Sequence, residues 1–73
     1  MVEVRLNNLT HQYVRYHQLP ELPRPGDGIF IADGDRYGER LHVVDVTFRQ
    51  PAPNALFEIE LFVVERPAAF LPA

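Results

Sequence analysis

Residues 22–48 read LPRPGDGIFIADGDRYGERLHVVDVTF, and the fold follows from them. Arg24-Pro25-Gly26-Asp27 has proline at the second place of a turn and glycine at the third, the type II pattern. Asp27 can accept a hydrogen bond from nearby backbone and fix the exit. Gly28 precedes a short apolar run, Ile29-Phe30-Ile31-Ala32. Asp33-Gly34-Asp35, extended by residues 36–38, reads as a hairpin loop, and strand signal resumes over 40–49. There Val44, Val46 and Phe48 are expected on one face with His42. Leu41 and Val43 are expected on the other with Asp45 and Thr47. Apolar residues on both faces at its start predict a central or strongly curved strand.

The flanks extend this unit. Val2, Val4 and Leu6 alternate with Glu3, Arg5 and Asn7, the period of a half-buried strand. Asn7-Asn8 is placed where a two-residue hairpin loop would go, since Asn tolerates positive φ. That turn sets Leu6 opposite Leu9, Val4 opposite His11 and Val2 opposite Tyr13, with strands over 2–6 and 9–17. A helix over 9–19 is the rival reading, but Thr, Tyr, Val and His favour strands. Pro20, Pro23 and Pro25 make 19–25 an extended crossing segment outside the ladder. Residues 50–54 form a second loop. The last strand is expected over 56–65, with Phe57, Ile59, Leu61 and Val63 on one face and Glu58, Glu60 and Phe62 on the other. Pro67 bars a central strand beyond it. The expected organisation is one domain over 1–66 and a proline-containing tail over 67–73.

Five short strands with turns at intervals of roughly ten residues predict an all-β fold, a small five-stranded, strongly bent barrel. Leu22-Pro23-Arg24-Pro25-Gly26-Asp27, Ile29-Phe30-Ile31, Val43-Val44-Asp45-Val46-Thr47-Phe48 and Glu58-Ile59-Glu60-Leu61 carry a resemblance. The pattern over 22–65 resembles small, uncharacterised bacterial SH3-like barrel proteins, in which a Pro-x-x-Gly-Asp turn leads into a hairpin. The resemblance implies an SH3-like barrel and transfers no catalytic residue.

Composition narrows the function classes. The chain has 73 residues, of which 47% are apolar, and no cysteine. A domain this small buries only roughly 60% of its unfolded surface. Such domains usually depend on disulfides, a metal or a partner subunit. Disulfides and thiolate metal sites are excluded, and self-association as a homo-oligomer becomes an expectation. All seven basic residues are arginine, scattered along the chain, and the net charge is −3. No segment approaches the ~18 apolar residues of a membrane span. The first residues lack the basic and apolar regions of a signal peptide. A soluble cytoplasmic protein without membrane contact is expected.

Candidate chemistry is sparse. His11 and His17 on one strand would lie about 20 Å apart at ~3.3 Å per residue, too far to share a metal. Asp33, Asp35 and Glu39 lack the ligand spacing of a calcium loop and read as a solvated tip. Glu58 and Glu60, with Asp45 facing them, could do acid–base work only in a pocket; pairing with Arg5, Arg40 or Arg49 across strands is the commoner arrangement. There is no serine, and Thr10 and Thr47 sit in no nucleophile motif. No enzyme activity, cofactor or metal is expected. The residues without a structural reason are Tyr13, Arg15, Tyr16, Tyr37, Phe62, Phe70 and Leu71. Tyr and Arg are enriched at protein interfaces, so these predict a surface for a protein partner, in a module of a bacterial or phage assembly. A nucleic acid stacked on Tyr13, Tyr16 and Arg15, or on Tyr37 with Arg36 and Arg40, is the second reading. The net negative charge and the glutamates of the last strand weigh against it.

Overall fold

The computed structural model describes residues 1–32 and 38–65, with the side chain of Glu39 excepted. Five strands form one sheet: β1 (Val2–Asn8), β2 (Tyr13–Leu19), β3 (Gly28–Ala32), β4 (Gly38–Arg49) and β5 (Glu58–Glu65). Their spatial order is β2-β1-β5-β4-β3. Neighbours run antiparallel except β1 and β5, which are parallel. The sheet curls into a half-barrel, so the all-β, strongly bent architecture holds, and no described residue is helical. Residues 9–19 contribute a strand, not a helix.

The core is the concave face. Val4 and Leu6 of β1, Leu41 and Val43 of β4, and Leu61 and Val63 of β5 are essentially inaccessible to solvent. Register explains the selection. Leu6 is level with Leu61, and Val43 with Val63, so apolar side chains from three adjacent central strands meet on one side. Val2, Leu19, Ile29, Ile31, Val46 and Ile59 pack around them, half-buried.

Residues 24–27 adopt the expected turn. Gly26 has φ +99°, a conformation that L side chains resist, and the Asp27 N–H donates to the Arg24 carbonyl at 3.0 Å. The Asp27 carboxylate accepts the Arg24 N–H at 2.9 Å. The turn is also tied to β4: Gly26 N–H donates to the Val43 carbonyl at 2.8 Å, and Val43 N–H donates to the Asp27 carbonyl at 2.9 Å. It thereby extends the β3–β4 ladder by one rung. At Gly38 an added Cβ would lie 2.5 Å from the Phe30 ring and 2.7 Å from the Ile31 carbonyl oxygen. Only glycine lets the Phe30 ring lie over that part of β4.

Three expectations are corrected. First, the β1–β2 hairpin turns through residues 9–12, not at Asn7-Asn8. Val4 therefore faces His17, Leu6 faces Arg15 and Val2 faces Leu19. The cause is Asn8, which is fully buried. Its Oδ1 accepts the Thr10 N–H at 2.9 Å and the His11 N–H at 3.0 Å, so its side chain organises the loop. Gln12, with φ 58°, completes the reversal and donates its N–H to the Asn8 carbonyl. The slip relative to expectation is an even number of residues, so every side chain keeps its face. Second, Val44 is a bulge between Val43 and Asp45. An extra residue shifts the strand's phase. Leu41, Val43, Val46 and Phe48 therefore share the concave face, and His42, Asp45 and Thr47 the convex one. Third, β5 begins at Glu58, which leaves Leu56 and Phe57 outside the strand and exposed.

Replacing Asn8 with alanine is expected to cost about 2–3 kcal/mol, since two loop N–H groups lose their acceptor. Amide hydrogen exchange provides the check: Thr10 and His11 should lose protection first.

Candidate interaction surface

The loop at residues 9–12 folds over the end of β5. Leu9 N–H donates to the Val63 carbonyl at 2.8 Å, and Glu65 N–H donates to Thr10 Oγ1 at 2.9 Å. His11 Nε2 meets the Glu65 carboxylate at 2.6 Å. The His11 ring is stacked on Tyr13, with centroids 6.5 Å apart and planes 8° from parallel. The Arg15 guanidinium sits 4.6 Å from the Tyr13 ring centroid, within cation–π range. His11, Tyr13 and Arg15 thus follow one another in a row from the loop into β2.

The backbone of β2 decides what this row borders. Because Leu9 N–H points to β5, the alternation along β1 turns the amides of Asn8, Leu6 and Val4 toward β2. Their partners Tyr13, Arg15 and His17 bond inward. Val14, Tyr16 and Gln18 then direct their N–H and C=O groups outward, along the free edge. Among the described residues β2 pairs only with β1. It carries no proline or bulge, two of the usual guards of an edge strand, and Arg15 is its one charged side chain.

Tyr16 and Val14 lie on the convex face of this strand. Tyr16 is 56% exposed, and its hydroxyl donates to the Glu58 carboxylate at 3.3 Å. Tyr13 and Arg15 are on the concave side of the same edge, so the residues expected to form one surface flank it instead. Phe62 is half-buried on the convex face of central β5, level with Asn7 and Asp45, and does not join them. Tyr37, Phe70 and Leu71 lie outside the described residues, as do Asp33 and Asp35.

The other candidates resolve into separate places. Glu60 is buried on the convex face and receives hydrogen bonds from Arg5 and, at 3.4 Å, from the Asn7 amide. Arg49 stands 3.9 Å from its other oxygen. Arg5 and Arg49 are the cross-strand partners expected for the carboxylates, and Glu58 is engaged by Tyr16 rather than paired with Glu60. His11 is in the loop, His17 on the concave face of β2, and His42 on the convex face of β4 opposite Gly28 and Val64. No three metal-ligating side chains converge among the described residues. A shallow pocket of about 440 Å³ opens between the end of β2 and the start of β3, lined by Leu19, Pro20, Glu21, Pro23, Ile29 and Phe30, among others.

The sequence signal that could have located the free edge was indirect. It lay in the absence of proline and glycine from residues 13–19. Comparison with known proteins adds no relative: no family model, curated protein or solved structure matches the chain.

Proposed function

We propose that this protein is a non-catalytic protein-interaction module that takes up an extended segment of a partner polypeptide as an added strand along β2. The supporting observation is the free edge of that strand, with the outward backbone groups of Val14, Tyr16 and Gln18. Strand addition draws affinity from main-chain hydrogen bonds and specificity from alternating side chains. Here Tyr13 and Arg15 would meet residues on one face of the added strand, and Val14 and Tyr16 residues on the other. The likeness to SH3-like barrels and a role in a bacterial or phage assembly belong to the same proposal.

The edge can be blocked without disturbing β1. Val14→Pro removes an outward N–H, and the proline ring leaves the inward rungs at Tyr13 and Arg15 in place. A partner captured from the source cell should be retained by the wild type at high salt and by Val14→Thr, and lost with Val14→Pro. Equal capture by the proline variant, or no captured partner, removes the proposal.

The row of His11, Tyr13 and Arg15 favours one second reading, a nucleic-acid-binding barrel. That reading requires an affinity falling steeply with salt. It fails if a labelled single-stranded oligonucleotide does not bind at low salt.

A further inference from the structure

The half-barrel ends in an apolar surface that no described element covers. Met1 and Leu56 are each 89% exposed, Phe57 66% and Phe48 60%. Register brings them together. Phe48 pairs with Ile59, two residues beyond Phe57. Val4 is level with Ile59 on the other side of β5, so Met1, three residues before Val4, and Leu56-Phe57, which lead into β5, lie at the same end of the sheet as Phe48. On the concave side the surface runs through half-buried Val2, Leu19 and Ile59 into the core. The loop behind it is fixed: Gln50 Nε2 donates to the Ala55 carbonyl at 2.9 Å, and Ala55 N–H donates to the Ala52 carbonyl at 3.1 Å. Leu56 and Phe57 are therefore held outward by a built loop.

We infer that this end is the interface with a second copy of the chain, packed about a two-fold axis. Three observations select that occupant. The four exposed side chains offer on the order of 600 Å² of apolar surface, taking aromatic groups at ~150–250 Å² when fully covered. A standard interface covers ~800 Å² per partner, so a modest rim completes it. The rim carries one charge of each sign, Arg49 and Glu58, paired in register at the edge of the patch. Around a two-fold axis each can face its opposite on the other copy, which a patch of a single sign could not do. Lastly, only six apolar side chains are fully buried among the described residues. Disulfides cannot assist them, and a second copy is one of the staples open to a domain of this size.

The surface is remote in sequence and register from Val14, while its rim residue Glu58 accepts the Tyr16 hydroxyl at 3.3 Å; blocking the edge at Val14 therefore separates this inference from the proposed strand addition. The test is light scattering coupled to size exclusion on the full chain. The wild type should elute at twice the 8.4 kDa of one chain. The double variant Leu56→Glu/Phe57→Glu should elute as a single chain, with association weakened at least about 100-fold, equivalent to two factors of ten in the dissociation constant. Leu56→Met/Phe57→Leu should remain dimeric, and so should Val14→Pro. If the charged variant does not fold, the wild type's melting temperature decides: a dimer's rises with protein concentration, and a flat dependence overturns the inference. A wild type that is monomeric at its highest soluble concentration also overturns it. So does a monomer whose captured partner is lost in the charged variant, an outcome that assigns this end to another protein.

Discussion

Leu61→Ala is expected to destabilise the protein by about 3 kcal/mol and to lower its melting temperature by roughly 12–24 °C. Leu61 is wholly inaccessible and sits on the middle strand, level with Leu6 on one side and Val46 on the other. Truncation removes apolar contacts with both neighbours and leaves a cavity that a half-barrel held by backbone ladders on both sides closes poorly. The loss is large relative to the whole: a chain of this length is stable by only about 4–11 kcal/mol. Urea and thermal melts measure it. A companion pair tests the bulge. Val43 is fully buried and Val44 is 42% exposed, so Val43→Ala should cost about 2 kcal/mol and Val44→Ala no more than about 0.5 kcal/mol. Equal costs would mean that the strand runs without the extra residue.

The second large effect concerns Glu60. Arg5→Met should cost about 2–3 kcal/mol, because it leaves a carboxylate with 8% side-chain exposure held only by the Asn7 amide and a distant Arg49. Glu60→Leu should cost less, about 1–2 kcal/mol, since the Arg5 side chain, 25% exposed, can turn its guanidinium to water. The double variant should return to within about 1 kcal/mol of wild type, as a paired ion bridge replaced by apolar groups of similar size is close to neutral. A double-mutant cycle built from denaturation midpoints reads the coupling directly. Additive losses would show that Arg5 and Glu60 act separately.

The parts of the fold legible in the sequence were those with a local backbone cause. Pro25-Gly26-Asp27 forms its turn because each residue suits one dihedral or one hydrogen bond. Ile59, Leu61 and Val63 alternate because β5 is regular. The hairpin register was not legible, because pairing Val4 with His11 or with His17 gives the same two faces. Periodicity does not separate registers that differ by an even slip. The choice belongs to Asn8, whose side chain serves the loop backbone, a role that composition does not reveal. The bulge was hidden because Val43 and Val44 are identical, so either satisfies an apolar site. Phe57 continues the apolar alternation of β5 in sequence, whereas the loop closed by Gln50 and Ala55 turns it outward. At the candidate surface, the shared face of Tyr13 and His11 was legible. The free edge between Tyr13 and Tyr16 depends on where β5 inserts, which is a property of the whole topology.

The parallel pairing of β1 with β5 also governs how the chain reaches this state. Asn8 and Val63, neighbours in the ladder, are separated by most of the sequence, whereas β1–β2 and β3–β4 are local hairpins. Contacts of such long sequence separation slow folding, since a large loop must close before any of them forms. The two hairpins can form early on a microsecond timescale, yet Leu6 and Val4 gain their cover only when β5 arrives. During synthesis the first hairpin therefore waits, with its inner edge unpaired, until the last strand has emerged. The slow step is the insertion of β5 between β1 and β4, and it turns two separate hairpins into one sheet.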